Sequence, residues 1–374
     1  MKKIIYGLAL AAVTLASCSD FLDKEPSNKL DAGKFFANES ELALYANGLY
    51  VDMIPSAEDL TNSGSGTCDY LATSTTSSLL MPDFNADKMS GWTYSAWTNL
   101  YRCNYFLKNI DKAAATTDVA TLNHYRGVAK FWRAYFYFDK VKTYGNLPWY
   151  SEPIDAGDSI QLYKERDSRE VIMDSVLQDI NYACKYIRGG KDELVSRYAA
   201  LALKSRICLF EGTYRKYHAV NPSTNQPWQE TDGARKYLQA CVDASEELMN
   251  SGEYSLVNTG KPATDYRSLF QSEKPNTTEI IMAREYSADL QSTHNVTQKF
   301  NSAGNDTRRW SPTQDFVNTY LNLDGSRFTD ATDYDKKTFA ENCTNRDYRL
   351  QQSVITPTYI KNMNGTPSRY NATW

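Results

Sequence analysis

Aromatic residues standing in polar stretches are the side chains here best suited to chemistry, and that chemistry is non-covalent. Trp92 and Tyr94 follow Gly91 at the end of a segment rich in Ser, Thr, Asn and Gly, and Trp97 stands one turn beyond. Trp310 follows Arg308-Arg309 and precedes Ser311-Pro312, and Tyr286 stands near Asp289. Flat rings stack on the C–H faces of sugars, while Asn, Asp, Gln and Arg nearby bind the hydroxyls. Any single ring of this kind more often packs a loop onto the body, but a group of them in loops marks a partner. The candidate glycan-binding residues are therefore Trp92, Tyr94, Trp97, Tyr286, Arg308 and Trp310.

Covalent catalysis finds no comparable signal. The three histidines, His124, His218 and His294, lie in no HExxH pattern, and neither GxSxG nor a phosphate-cradling glycine loop occurs. His124 on a helix is expected to be packed or solvated rather than a ligand. Glu246-Glu247 and Asp23/Glu25 look like helix-surface and linker charges. With no CxxC or Cys/His spacing, no zinc site is expected, and Asp324 and Asp330 suit a turn and a solvated rim better than a calcium site. No catalytic residue, metal or cofactor is predicted. The competing reading is a glycoside hydrolase using two carboxylates, whose separation is a matter of space rather than sequence.

Cys18 carries a different chemistry. Lys2 and Lys3 precede an apolar run over residues 4–14, and Leu15-Ala16-Ser17-Cys18 closes it with small residues before the cysteine. A bilayer core needs ~20 apolar residues, so this run predicts an export signal. The LASC ending matches the bacterial lipobox, which predicts cleavage before Cys18 and lipid on its sulfur. The expected organisation is a signal peptide over residues 1–17, a lipid anchor and polar tether over 18–39, and a folded body over 40–374. Loss of residues 1–17 removes Lys2 and Lys3 and no acid, moving the formal net charge from −4 to −6. Nucleic acid is thereby excluded as a partner, since phosphate neutralisation needs clustered Lys and Arg.

The elements that must position these residues are helical. Leu42, Tyr45, Ala46 and Leu49 fall at i, i+3, i+4 and i+7. After a long loop over residues 55–91, of the kind that tends to carry function, a helix near Trp97 places Leu100, Tyr101, Asn104, Leu107 and Ile110 on one face. Residues 122–142 are apolar almost all round, as expected of a central helix, and Gly145 and Pro148 end it. The next helix opens at Asp167 with Glu170 as a capping box, turns Val176, Ile180, Ala183, Cys184 and Ile187 inward, and stops at Gly189-Gly190. A partner runs from Ser196 to about Tyr214, and another starts at Asp232. Helix pairs joined by Gly-containing turns predict a mainly α, tetratricopeptide-like scaffold. From Tyr254 onward the periodicity fades, predicting long loops, small strands such as residues 280–283, and a helix over 313–321. Cys103, Cys184, Cys208 and Cys241 lie in amphipathic helical patterns and predict free, buried thiols, while the state of Cys68 and Cys343 stays open.

Several stretches together resemble the SusD/RagB-like nutrient-uptake lipoproteins of bacterial outer membranes. They are SCSDFLDKEP at 17–26, WTNLYRCNYFLKNI at 97–110, RGVAKFWRAYFYFDKVKTYGNLPWY at 126–150, RDSREVIMDSVLQDI at 166–180, RYAALALKSRICLFEG at 197–212, SPTQDFVNTYLNLDG at 311–325 and NRDYRL at 345–350. The resemblance implies a tetratricopeptide-like helical fold with binding loops on one face. It implies an outer-membrane protein, lipid-anchored and facing the exterior, that hands a glycan, or in some relatives a peptide, to a SusC-type TonB-dependent barrel without bond chemistry. By position, the Trp92–Trp97 and Trp310 segments correspond to those that supply stacking aromatics, with Tyr286 following. Family members usually continue through a further segment resembling RYAEVLLNYAEA, so truncation at the C-terminus, with exposed apolar helix faces, is also expected.

Overall fold

The computed structural model of the chain describes residues 35–57, 70–72, 80–85, 91–155, 157–191, 193–289, 291–294, 296, 311–363 and 366–369. Cys18 with its leader and most of the tether, Cys68, Arg308 and Trp310 lie outside the described residues.

Six long helices form the body. Helix α1 (Glu39–Met53) is capped by Asn38, whose side chain accepts the Glu41 N–H, and it buries Leu42, Tyr45, Ala46, Leu49 and Met53 at the expected helical spacing. A 3₁₀ turn over Tyr94–Trp97 leads into α2 (Thr98–Asn109). Helix α3 (Val119–Tyr144) starts at the Asp118 cap and ends at Gly145, and it buries residues on every side, Tyr125, Phe131, Trp132, Phe136, Phe138 and Val141 among them. The others are α4 (Arg169–Tyr186), α5 (Arg197–Tyr217) and α6 (Gly233–Asn250).

The all-round apolar character of α3 is explained by its neighbours. It packs against α1, α2 and α4 and touches α5, while α4 packs on α5 and α5 on α6. Two helix pairs, α3/α4 and α5/α6, are thus stacked through the α4/α5 contact, as in tetratricopeptide repeats. The α5/α6 pair closes tightly because position 212 lacks a side chain: a Cβ there would lie 2.8 Å from Leu238 Cγ and 3.0 Å from its backbone nitrogen. Charge locks the α4/α5 contact. Arg169 and Arg215 both bind the buried Glu211, at 2.7 and 2.8 Å, and Arg215 reaches Glu230 at 3.1 Å.

Beyond residue 254 the described chain forms short pieces, as its composition predicts: helices at Asp265–Gln271, Gln314–Thr319, Phe339–Asn342 and Tyr348–Ser353. Among the described residues the strands form two antiparallel ladders, Leu71–Ala72 with Ser311–Pro312 and Ile360–Met363 with Thr366–Arg369.

Four local expectations are corrected. Ser168, not Asp167, caps α4, its side chain accepting the Val171 N–H, because the Asp167 carboxylate already accepts the Trp149 N–H at 2.7 Å. Helix α4 ends at Tyr186, short of Gly189, because Ile187 turns extended and buries its side chain. Tyr101 faces outward (47 % exposed), while Leu100, Cys103, Asn104 and Phe106 take the inward face of α2. Residues 280–283 form no strand. Instead Ile281 and Met282 pack on the core, and the Ala283 carbonyl accepts the Tyr50 hydroxyl at 2.6 Å.

Cys103, Cys184, Cys208 and Cys343 are free and buried, and Cys241 is free and half-buried. Burial pushes the thiols of Cys103, Cys184 and Cys208 up to about 12.

Candidate functional site

Trp92, Tyr94 and Trp97 come together on one wall of a cleft of about 570 Å³. Gly91, at φ +95°, turns the chain into that wall, and a side chain there would meet the Tyr144 hydroxyl at 3.0 Å. The Trp92 indole meets Trp97 and Tyr144 edge-on, at centroid distances of 5.2 and 4.9 Å. Trp97 continues inward to Phe136 and Tyr150, at 5.7 and 6.1 Å. The three predicted rings therefore differ in role. Trp97 anchors the wall to α3, Trp92 is half-exposed upon it, and Tyr94 stands in solvent at 86 % exposure.

The facing walls come from coil and one helical turn, Ser159–Leu162, which carry no periodic signal in sequence. Pro148, Tyr150, Glu152 and Ile154 form one side, and Leu162, Lys164 and Arg166 another. Their carbonyls are pinned from below. Asn104, buried on α2, donates to the carbonyls of Tyr150 and Glu152 at 2.9 and 3.1 Å. The Tyr137 hydroxyl donates to the Pro148 carbonyl at 3.2 Å and accepts the Tyr150 N–H at 2.7 Å. The Tyr150 hydroxyl donates to the Gln161 carbonyl at 2.8 Å, tying the two walls together.

Beneath them sits a buried ion cluster. Arg133 on α3 donates to Asp179 on α4 through Nε at 2.6 Å and through Nη2 at 3.0 Å. Its Nη1 reaches the Asn104 side-chain oxygen at 2.9 Å and the Ser151 carbonyl at 3.2 Å. Lys130 adds a second cation, 2.6 Å from Asp179. Burial works against the charge on Arg133, but the hydrogen bond and charge of Asp179 raise its pKa above the ordinary value. Burial likewise pushes the Tyr137 hydroxyl far up, so it stays protonated and serves as a fixed donor.

The cleft's cations are held differently. Lys164 donates to the Trp149 carbonyl at 2.8 Å and pairs with Asp167 at 2.9 Å, and it lies 5.2 Å from the Tyr150 ring. The Arg166 guanidinium lies 4.4 Å over the Trp92 ring. Such an arrangement offers stacking faces beside amide, carboxylate and guanidinium groups, which is binding chemistry. Glu152 is the single carboxylate among the described residues that line it.

Tyr286 does not line this cleft. Its hydroxyl accepts the Ala57 N–H at 2.6 Å, and its ring meets His294 edge-on at 4.8 Å. Arg308 and Trp310 lie outside the described residues. Sequence reasoning missed Asn104, Tyr150, Lys164 and Arg166 as site residues; the clue available was the aromatic and basic content of 148–166, right after the central helix. A larger opening of about 730 Å³ lies among residues 322–345. Its one aromatic, Phe328, is buried, so it presents no stacking face. No cluster of metal-ligating side chains occurs among the described residues.

Two family models match the chain. One described as "Starch-binding associating with outer membrane" covers residues 37–218, and one described as "SusD family" covers residues 278–374. A curated relative, the SusD-like protein P25 of Formosa agariphila, is 23 % identical over 297 residues, or 73 % of this chain. The chain spans about half the length of that relative. Among solved structures, a SusD-like protein from Bacteroides fragilis has a TM-score of 0.63 at 20 % identity, covering 90 % of this chain and 64 % of its own. A SusD-like carbohydrate binding protein from the same species has a TM-score of 0.60 at 16 % identity, covering 85 % and 60 %. The surface glycan-binding protein A from Bacteroides fluxus has a TM-score of 0.52 at 16 % identity, covering 77 % and 63 %. The stacked helix pairs agree with these scaffolds, and two models of one family match in order along the sequence: the chain belongs to the SusD/RagB-like family.

Proposed function

We propose that this protein captures a saccharide in the Trp92–Tyr150 cleft and delivers it to a SusC-type TonB-dependent barrel of the outer membrane, itself breaking no bond. It acts from the cell surface, held there by lipid on Cys18. The observation that carries the reading is the cleft itself, in which half-exposed and exposed rings (Trp92, Tyr94, Tyr101) stand beside a polar rim of Glu152, Lys164 and Arg166. The family description of starch binding at the outer membrane supports it.

Trp92 and Tyr94 are the positions to test, because Trp97 also packs the wall onto α3. The Trp92→Ala/Tyr94→Ala double variant is expected to lose binding to a glycan panel by roughly thirtyfold or more, the scale of an aromatic hot spot. Its melting curve should match that of the parent. Undiminished binding would remove the cleft from the function, and release of shortened sugar by the pure protein would replace capture with hydrolysis.

A further inference from the structure

The proposed cleft holds a cation that makes no ion pair among the described residues. Lys164 is committed, with its ammonium bound to Asp167 and to the Trp149 carbonyl. Arg166 is not. It lies over the Trp92 face at 4.4 Å, is exposed to solvent, and among the described residues makes no ion pair within 4.0 Å. Glu152, the carboxylate on the facing wall, is likewise exposed and joined to neither cation by such a pair.

A guanidinium stacked on an aromatic ring keeps its N–H edges available, and its planar fork matches a carboxylate or sulfate with two parallel hydrogen bonds. Stacking also restricts the side chain before ligand arrives, so less freedom is lost on binding. The rest of the molecule does not favour anions, with a formal net charge of −4. A free, pre-ordered cation beside the one exposed indole of the cleft is therefore a local feature with a local purpose. Resting on the saccharide reading above, we infer that the cleft selects an acidic saccharide. The carboxylate or sulfate of one residue docks on Arg166 while a sugar ring stacks against Trp92 and Tyr94.

Matched ligands test this, because each pair differs in charge and little else. The probes are oligogalacturonate against its methyl ester, and a sulfated galactan against its desulfated form, measured by calorimetry on the folded chain. At least one acidic member should bind about tenfold or more tighter than its neutral partner, the scale of a hydrogen bond to a charged group. The preference should shrink as salt is raised. Arg166→Gln should abolish it, Arg166→Lys should restore it in part, and Glu152→Gln should strengthen it. Preference within the galacturonate pair would identify a uronate and preference within the galactan pair a sulfate. Equal binding within both pairs, unchanged in Arg166→Gln, would overturn the acidic selectivity and leave saccharide capture standing. Failure of every member to bind a folded sample would overturn both.

Discussion

Asp179 sits between Arg133 and Lys130 in a place that water does not reach, and the cleft depends on it at one remove. Replacing Asp179 by Ala leaves the buried Arg133 without its counter-ion, a loss that costs about 3–5 kcal/mol. The same guanidinium holds Asn104 and the Ser151 carbonyl, so ligand binding should weaken as well. Chemical denaturation and calorimetry together check this; a variant with parental stability would show that the cluster is solvated. His124 gives a second residue-scale expectation. Burial, aided by Arg188, lowers its pKa to about 4, and its Nδ1 accepts the Arg188 backbone N–H. Glu193 opposes this from 3.7 Å, too far for a hydrogen bond. Above pH 6.5 the ring is neutral in both folded and unfolded chains. As pH falls from 6.5 towards 4, only the unfolded chain gains the proton, so stability declines across that window by roughly 3 kcal/mol. His124→Gln should flatten that slope. A slope unchanged by the substitution would assign it elsewhere. At this scale the sequence discloses the rings of the candidate site but not their partners. Trp92 and Tyr94 stand out because indoles are rare in polar loops. Arg166 and Asn104 do not, since a guanidinium in coil or an amide within a helix has no distinguishing pattern until folding brings it near a ring or a carbonyl.

Helices fared better than coil because their signal repeats. The i, i+3, i+4 spacing of Leu42, Tyr45, Ala46 and Leu49 is one buried stripe in the folded protein, and the segment 122–142, with apolar residues almost all round, is a helix with neighbours on several sides. Boundaries were harder to read, because a cap is decided by which oxygen is left over. Asp167 has the right side chain for α4, yet its carboxylate is spent on Trp149 and Lys164. Ser168→Ala should therefore cost about 1 kcal/mol, and the size of the effect, read by urea denaturation, distinguishes a working cap from a solvated serine. The α5/α6 contact supplies the sharper case. Gly212→Ala forces a methyl against the Leu238 backbone, where the neighbour cannot swing aside, and should destabilise by about 1–3 kcal/mol. A neutral outcome would mean that the two helices slide apart without penalty.

Across the whole molecule, the two stacked helix pairs present one side of α3 to the loops and the other to the body, so the cleft is built on the most deeply embedded element of the fold. One of its walls, residues 148–154, is coil whose carbonyls are fastened to α2 and α3, an arrangement in which little reordering is needed on binding. The cysteines have a different consequence at this scale. While folded, the thiols of Cys103, Cys184 and Cys208 are held protonated and away from oxidants, and a thiol that does not ionise does not react. Opening the chain returns each to an ordinary pKa of ~8.5 and exposes to oxidants sulfurs that the folded protein keeps free and buried. Unfolding then acts as a ratchet: a chain heated in air acquires cross-links on the way down and does not retrace its path. Full recovery of the native circular-dichroism signal after cooling with reductant, and progressive loss over repeated cycles without it, is the expected signature.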